Sequence, residues 1–98
     1  MSRYAKGANA ERELVKKLFE AGFSVARVAG SGVSSLPAPD LLAFSKSHRF
    51  GLECKAWDST SLTIPKRQFE ELVHWCDNAA CQAVFAWKVS NKGWFFLF

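Results

Sequence analysis

Apolar residues near the start of the chain recur at helical spacing. Ala10, Leu14, Leu18 and Ala21 stand three or four apart, and Gly22 follows as a stop. This predicts a helix from about Ala8 to Ala21, with Glu11 on or beside its buried face. The period then changes to two. Phe23 to Val28 reads as a strand, with Phe23, Val25 and Arg27 sharing a face.

Next comes GSGVSSLPAP, a loop by its glycines, serines and prolines, mobile unless something binds it. It ends at Asp40. DLLAF and GLECKAW resume strand character around SKSHR, which predicts a hairpin. SLTI is short enough to be a strand or an extended lead-in, and Pro65 fits the first turn of a helix. That helix runs to about Asn78, with Phe69, Leu72, Val73 and Cys76 as its apolar stripe. QAVFAWKV and WFFLF, separated by SNKG, close the chain as a second hairpin. The order predicts one α/β domain over residues 1–98, a central mixed sheet flanked by helices, without repeat or linker.

Charge narrows the partners. A net charge of +4 and a pI near 9.2 favour an anionic partner, nucleic acid first and acidic lipid second. No apolar run approaches the roughly 20 residues of a membrane span. The polar N-terminus MSRYAKGANAERE is unlike a secretory signal, so the expected location is intracellular, in the cytoplasm. Three cysteines without a Cys-x-x-Cys pair fit reduced thiols. His74, Cys76 and Cys81 fall short of the four ligands of a structural zinc site. Cys54 and Cys76 read instead as small core residues, and His74 as a helix-surface residue.

Chemistry enters at GLECKAW. On a strand, Glu53, Lys55 and Trp57 point one way while Leu52, Cys54 and Ala56 point the other. Alone, Glu53 and Lys55 would be an exposed pair contributing roughly 0 to 1 kcal/mol. Pairing across SKSHR, however, brings Asp40 to the same end of the sheet. Two close carboxylates repel, and a hard divalent cation bound through oxygen relieves that repulsion; magnesium is the natural choice. Such an ion activates water and stabilises charge on a phosphoryl oxygen, while a neighbouring lysine orients the nucleophile or neutralises the transition state. This is the chemistry of phosphodiester hydrolysis. Lys66 and Arg67 oppose the macrodipole in the second helix's first turn, which suits either a bound phosphate or two solvated side chains.

The pattern P-D followed by E-x-K resembles the signature of restriction-endonuclease-like nucleases. With KGANAERELVKKLFEAGFSVARVAGSG, PAPDLLAF, GLECKAW, IPKRQFEELVHW and KGWFFLF in that order, nearly the whole chain resembles the archaeal Holliday-junction resolvase family. The resemblance implies a restriction-endonuclease-like fold and a magnesium-dependent endodeoxyribonuclease, with manganese as a candidate substitute ion. Its activity would be paired, symmetric nicking of four-way DNA junctions by a homodimer, with recombination or replication proteins as candidate further partners. It assigns Glu11, Asp40 and Glu53, with the backbone carbonyl of Cys54, to the metal. Lys55, Arg27 and Ser31 join Glu11, Asp40 and Glu53 as the implied catalytic set. Arg3, Lys6, Arg12, Arg27, Lys66 and Arg67 are candidate phosphate contacts, positioning DNA without reading bases. Trp57, Trp75, Trp87, Trp94 and the closing WFFLF give more large apolar surface than one small core readily hides, which suits a dimer. A related nuclease acting on nicked, flapped or linear duplex, and a noncatalytic DNA-binding module, are the alternatives.

Overall fold

Helix α1 (Arg3–Glu20) starts ahead of the expected Ala8. The computed structural model describes residues 3–28 and 36–98, with α1 side chains described from residue 7 onward. The earlier start carries the helix through Gly7, whose cost of about 1 kcal/mol relative to alanine is tolerable beside Ala5, Ala8 and Ala10. At the other end Gly22 adopts φ +97°. Its N–H donates to Phe19 and that of Phe23 to Leu18, each at 3.0 Å, closing the helix where the glycine predicted.

Five strands form one sheet in chain order: β1 (Ser24–Arg27), β2 (Leu41–Phe44), β3 (Arg49–Ala56), β4 (Gln82–Val89) and β5 (Gly93–Leu97). β1 is shorter than the expected Phe23 to Val28, though the Val28 N–H still reaches the Asp40 carbonyl at 2.9 Å. Neighbours pair antiparallel except β3 and β4, which are parallel and joined through α2 (Lys66–Asn78). SLTI forms no strand; Ile64 packs beneath α2 as part of the lead-in.

Alternation divides the core between the two faces. Val84 and Ala86 of β4 join Leu41, Ala43, Leu52 and Leu14 of α1, while Phe85 faces Leu72 and Cys76 of α2. A strand covered on both sides must be apolar on both, which explains the continuous run in QAVFAWKV. The apolar stripe expected on α2 is narrower than its sequence spacing suggested. Leu72 and Cys76 are buried, but Phe69 and Val73 are 50% and 41% exposed. Phe69 stacks on Phe85 with ring centroids 6.1 Å apart, and with Val73, Leu97 and Phe98 it borders a groove between α2 and β5.

Two details fix the helices against the sheet. Gly51 is bare backbone under α2: a Cβ there would lie 2.5 Å from Cys76 Sγ and 3.2 Å from Pro39 Cγ. On the opposite side, Glu13 Oε1 accepts from Lys88 Nζ at 2.9 Å and from Trp94 Nε1 at 3.0 Å. α1 is thereby tied to the closing hairpin two residues beyond Glu11. Among the described residues no helix is long and apolar enough to cross a membrane.

Candidate active site

The site forms where β3 outruns β2. β2 pairs with β3 only as far as Leu41 and Leu52, whereas β4 accompanies β3 to Ala56. Beyond Leu52 the flank of β3 facing β2 is open, and Asp40 fills its first position. The Asp40 N–H donates to the Leu52 carbonyl at 2.9 Å, and Asp40 Oδ2 accepts from the Cys54 N–H, also at 2.9 Å. The carboxylate takes the place of the missing strand partner.

Asp40 and Glu53 line a cleft of about 220 Å³ with Pro37, Ala38, Gln68, Glu71 and Leu72. Burial pushes the Glu53 carboxyl up to about 7, assisted by the charges of Asp40, Glu11 and Glu71 and opposed by Lys55. The two carboxylates predicted at one end of the sheet thus do share a site. Lys55 Nζ donates to Gln68 Oε1 at 2.6 Å and stands 6.0 Å from the Trp57 ring centroid. Burial, with the charges of Asp40, Glu11 and Glu53, raises the Cys54 thiol far above its ordinary value, so its sulfur is an inert packing group.

Glu11 pairs with Arg27: Glu11 Oε1 accepts from Arg27 Nε at 2.9 Å. Its charge still reaches Glu53, although neither Glu11 nor Arg27 lines the carboxylate cleft. Among the described residues no group of three or more histidine, cysteine, aspartate or glutamate side chains converges as a ready cage for a metal. The oxygen donors of Asp40 and Glu53, with the repulsion visible at Glu53, nonetheless fit a hard divalent cation. Among the described residues His74, Cys76 and Cys81 likewise form no such group.

The other expected residues are more scattered. Ser31 and most of the loop before Asp40 lie outside the described residues, as do the side chains of Arg3 and Lys6 on the first turn of α1. Arg12 Nη1 donates to Asn9 Oδ1 at 2.8 Å on the outer face of α1. Lys66 and Arg67 stand in the open and pair one turn along with Glu70 and Glu71, at 3.8 and 2.8 Å. These local partners satisfy the two cations without a phosphate.

Gln68 and Glu71 escaped the reading of the sequence, although both line the cleft. One signal was present: Gln68 lies four residues before Leu72, placing a polar group on the stripe that α2 turns inward.

The model of the family described as Archaeal Holliday junction resolvase (Hjc) matches residues 2–98. A crossover junction endodeoxyribonuclease Hjc from Archaeoglobus fulgidus is 36% identical over 92 residues, covering 94% of this chain and 68% of that protein. The enzyme of that name from Methanocaldococcus jannaschii is 40% identical over 72 residues, 72% of this chain and 50% of its own length. The chain thus spans about two thirds of one relative and half of the other. The solved structure of the Archaeoglobus fulgidus Hjc, titled a Holliday junction resolvase, superposes with a TM-score of 0.85 over 89% of this chain and 71% of that one, at 36% identity.

Proposed function

The chain belongs to the archaeal Holliday junction resolvase family, with its restriction-endonuclease-like fold, and on that footing we propose that it nicks four-way DNA junctions by divalent-cation-dependent phosphodiester hydrolysis. The observation that carries this reading is the cleft shared by Asp40 and Glu53, where burial and mutual repulsion hold the Glu53 carboxyl near 7. Two carboxylates repelling one another in a cleft are what a bound cation relieves, and a strongly shifted carboxyl in a cleft marks a functional site.

Magnesium bound there, with manganese as a substitute, would supply an activated water and charge stabilisation at the phosphoryl oxygen. Asp40 and Glu53 would hold it, with Glu11 and the Cys54 carbonyl completing the donors. Asp40 is already oriented by the Cys54 N–H. Lys55 offers a positive charge at the cleft's edge, suited to a nonbridging phosphate oxygen or to the attacking water. Glu11 steers Arg27, whose side chain stays 47% exposed towards the DNA backbone. Ser31 belongs to the same proposal, as do the phosphate contacts of Arg3, Lys6, Arg12, Lys66 and Arg67.

Paired symmetric cuts need two sites, and so a homodimer. The exposure of Phe69, Val73, Leu97 and Phe98 beside one groove supports it. Sedimentation of a monomer alone at micromolar concentration would contradict the symmetric-cut mechanism.

The test is magnesium-dependent cleavage of a labelled four-way junction beside a linear duplex of the same sequence, with wild type and Asp40→Asn. Paired nicks in the junction alone, lost in the variant while binding persists, are expected. Equal cutting of the linear duplex would make the protein a general nuclease. Binding without cutting would make it a noncatalytic module.

A further inference from the structure

We infer that Gln68 is the positioning residue for Lys55: its amide carbonyl, carried on the first turn of α2, fixes where the lysine's charge stands. The inference rests on the proposed role of Lys55 in cleavage. A lysine side chain is a flexible four-carbon stem ending in a compact charge, and its natural resting place here is the neighbouring carboxylate. Lys55 lies two residues from Glu53 on the same strand face, and its charge opposes the upward displacement of the Glu53 carboxyl. Collapse onto Glu53 would occupy an oxygen wanted by a cation and mask the charge wanted by a phosphate.

The structure holds Lys55 elsewhere. Its Nζ donates to Gln68 Oε1 at 2.6 Å in a half-buried setting. Gln68 can do this because α2 begins immediately after Pro65, which sets Gln68 in the helix's first turn. One and two turns later Leu72 and Cys76 anchor the helix in the core, with Cys76 against Gly51. The acceptor therefore belongs to a rigid element rather than a loop.

Charge explains a neutral acceptor at this place. The cleft already contains Asp40, Glu53 and Glu71. An amide oxygen orients the ammonium without neutralising it, and without adding a further carboxylate to groups that already repel.

The experiment compares wild type, Gln68→Leu, which keeps the volume and loses the acceptor, and Gln68→Glu, which keeps an oxygen in reach. Single-turnover junction cleavage is expected to fall about 10- to 100-fold in Gln68→Leu, the scale of a misplaced catalytic group. Junction affinity should stay within about twofold; Gln68→Glu, which keeps an acceptor for Lys55 but adds the carboxylate that this place avoids, should also be slowed. In a Lys55→Ala background, Gln68→Leu should change nothing further. Wild-type cleavage by Gln68→Leu, or a further loss when Gln68→Leu is added to Lys55→Ala, would overturn the inference.

A second readout needs no activity. The Lys55 ammonium should give a distinct nitrogen-15 correlation in wild type that is lost in Gln68→Leu. Its persistence there would overturn the inference, and its loss would support it even if wild type cut no junction. Failure of wild type to cut would instead overturn the nuclease reading.

Discussion

The strain at Glu53 makes an unusual prediction: replacing this residue should make the metal-free protein more stable while ending its cleavage. The Glu53 carboxyl is held near 7 against an ordinary 4.5, chiefly by burial and then by the charge of Asp40. At 1.36 kcal/mol per pH unit, this corresponds to roughly 3 kcal/mol against the charged form in the folded protein. The sign follows from proton binding. Between 4.5 and 7 the folded state holds a proton that the unfolded state has lost, so stability falls as pH rises through that interval. Below 4.5 both states are protonated and the penalty is absent; above 7 it is complete. Glu53→Gln removes the titration and keeps the volume. Denaturant unfolding of both proteins without divalent ions, at about pH 4.5 and pH 8, measures the effect. The variant should gain about 1 to 3 kcal/mol at the higher pH and little at the lower. Added magnesium should stabilise wild type at pH 8 far more than the variant. A variant no more stable than wild type at pH 8, or one with the same gain at both pH values, would refute the assignment of strain to the Glu53 charge.

Three substitutions probe the frame around this site, and salt probes the contacts to DNA. Gly51→Ala should lower stability by about 1 to 3 kcal/mol, because its Cβ would meet Cys76 Sγ at 2.5 Å; Cys76→Ala should restore part of the loss in denaturant melts. Ala80 ends α2 with φ +57°, so Ala80→Gly should raise the unfolding midpoint by an amount equal to about 0.5 to 1 kcal/mol. Hydrogen bonds from Lys88 and Trp94 lower the Glu13 carboxyl below 4.5; wild type should be more stable than Glu13→Gln at neutral pH, and the two should converge as acid protonates Glu13. If the six proposed cations contact phosphates, junction affinity should fall about a thousandfold between about 50 and 200 mM salt and hardly vary with junction sequence. Salt-independent binding would contradict the phosphate contacts.

The frame was legible because each element follows a periodicity or a stop signal that the structure retains. Gly22 ends α1, Pro65 precedes α2, and alternation in GLECKAW sends Glu53 and Lys55 to one face. What escaped depends on docking rather than on local pattern. Phe69 and Val73 have the spacing of core residues, but α2 meets the sheet through Leu72 and Cys76, and no periodicity within a helix reveals how wide its contact will be. Gln68 and Glu71 enter the cleft for the same reason: α2 seats Cys76 against Gly51, and its first two turns line the cleft with Glu53. Glu11 lies near the buried face of α1 as its spacing predicts, yet its partnership with Arg27 depends on how α1 folds back over the strand that follows it.

The unequal lengths of β2 and β3 connect folding with chemistry. Where β2 stops, β3 would expose the Cys54 N–H inside a half-covered cleft, and an unpaired amide there costs about 1 to 3 kcal/mol. Asp40 prevents this with its side chain, so one carboxylate both completes the sheet and faces Glu53. That double duty governs which substitution can isolate catalysis. Asp40→Leu would remove charge and acceptor together, mixing lost chemistry with a damaged strand end. Asp40→Asn retains a carbonyl oxygen for the Cys54 N–H while removing the charge available to a cation. It should therefore fold and bind DNA with wild-type register, which makes its loss of cleavage interpretable as chemistry. It should also relieve Glu53, since the charge of Asp40 is the largest electrostatic contribution raising that carboxyl. A fall of the Glu53 carboxyl toward its ordinary value in Asp40→Asn, followed by carbon-13 NMR, would show the two acids acting on one another across the cleft. An unchanged titration would show that they do not.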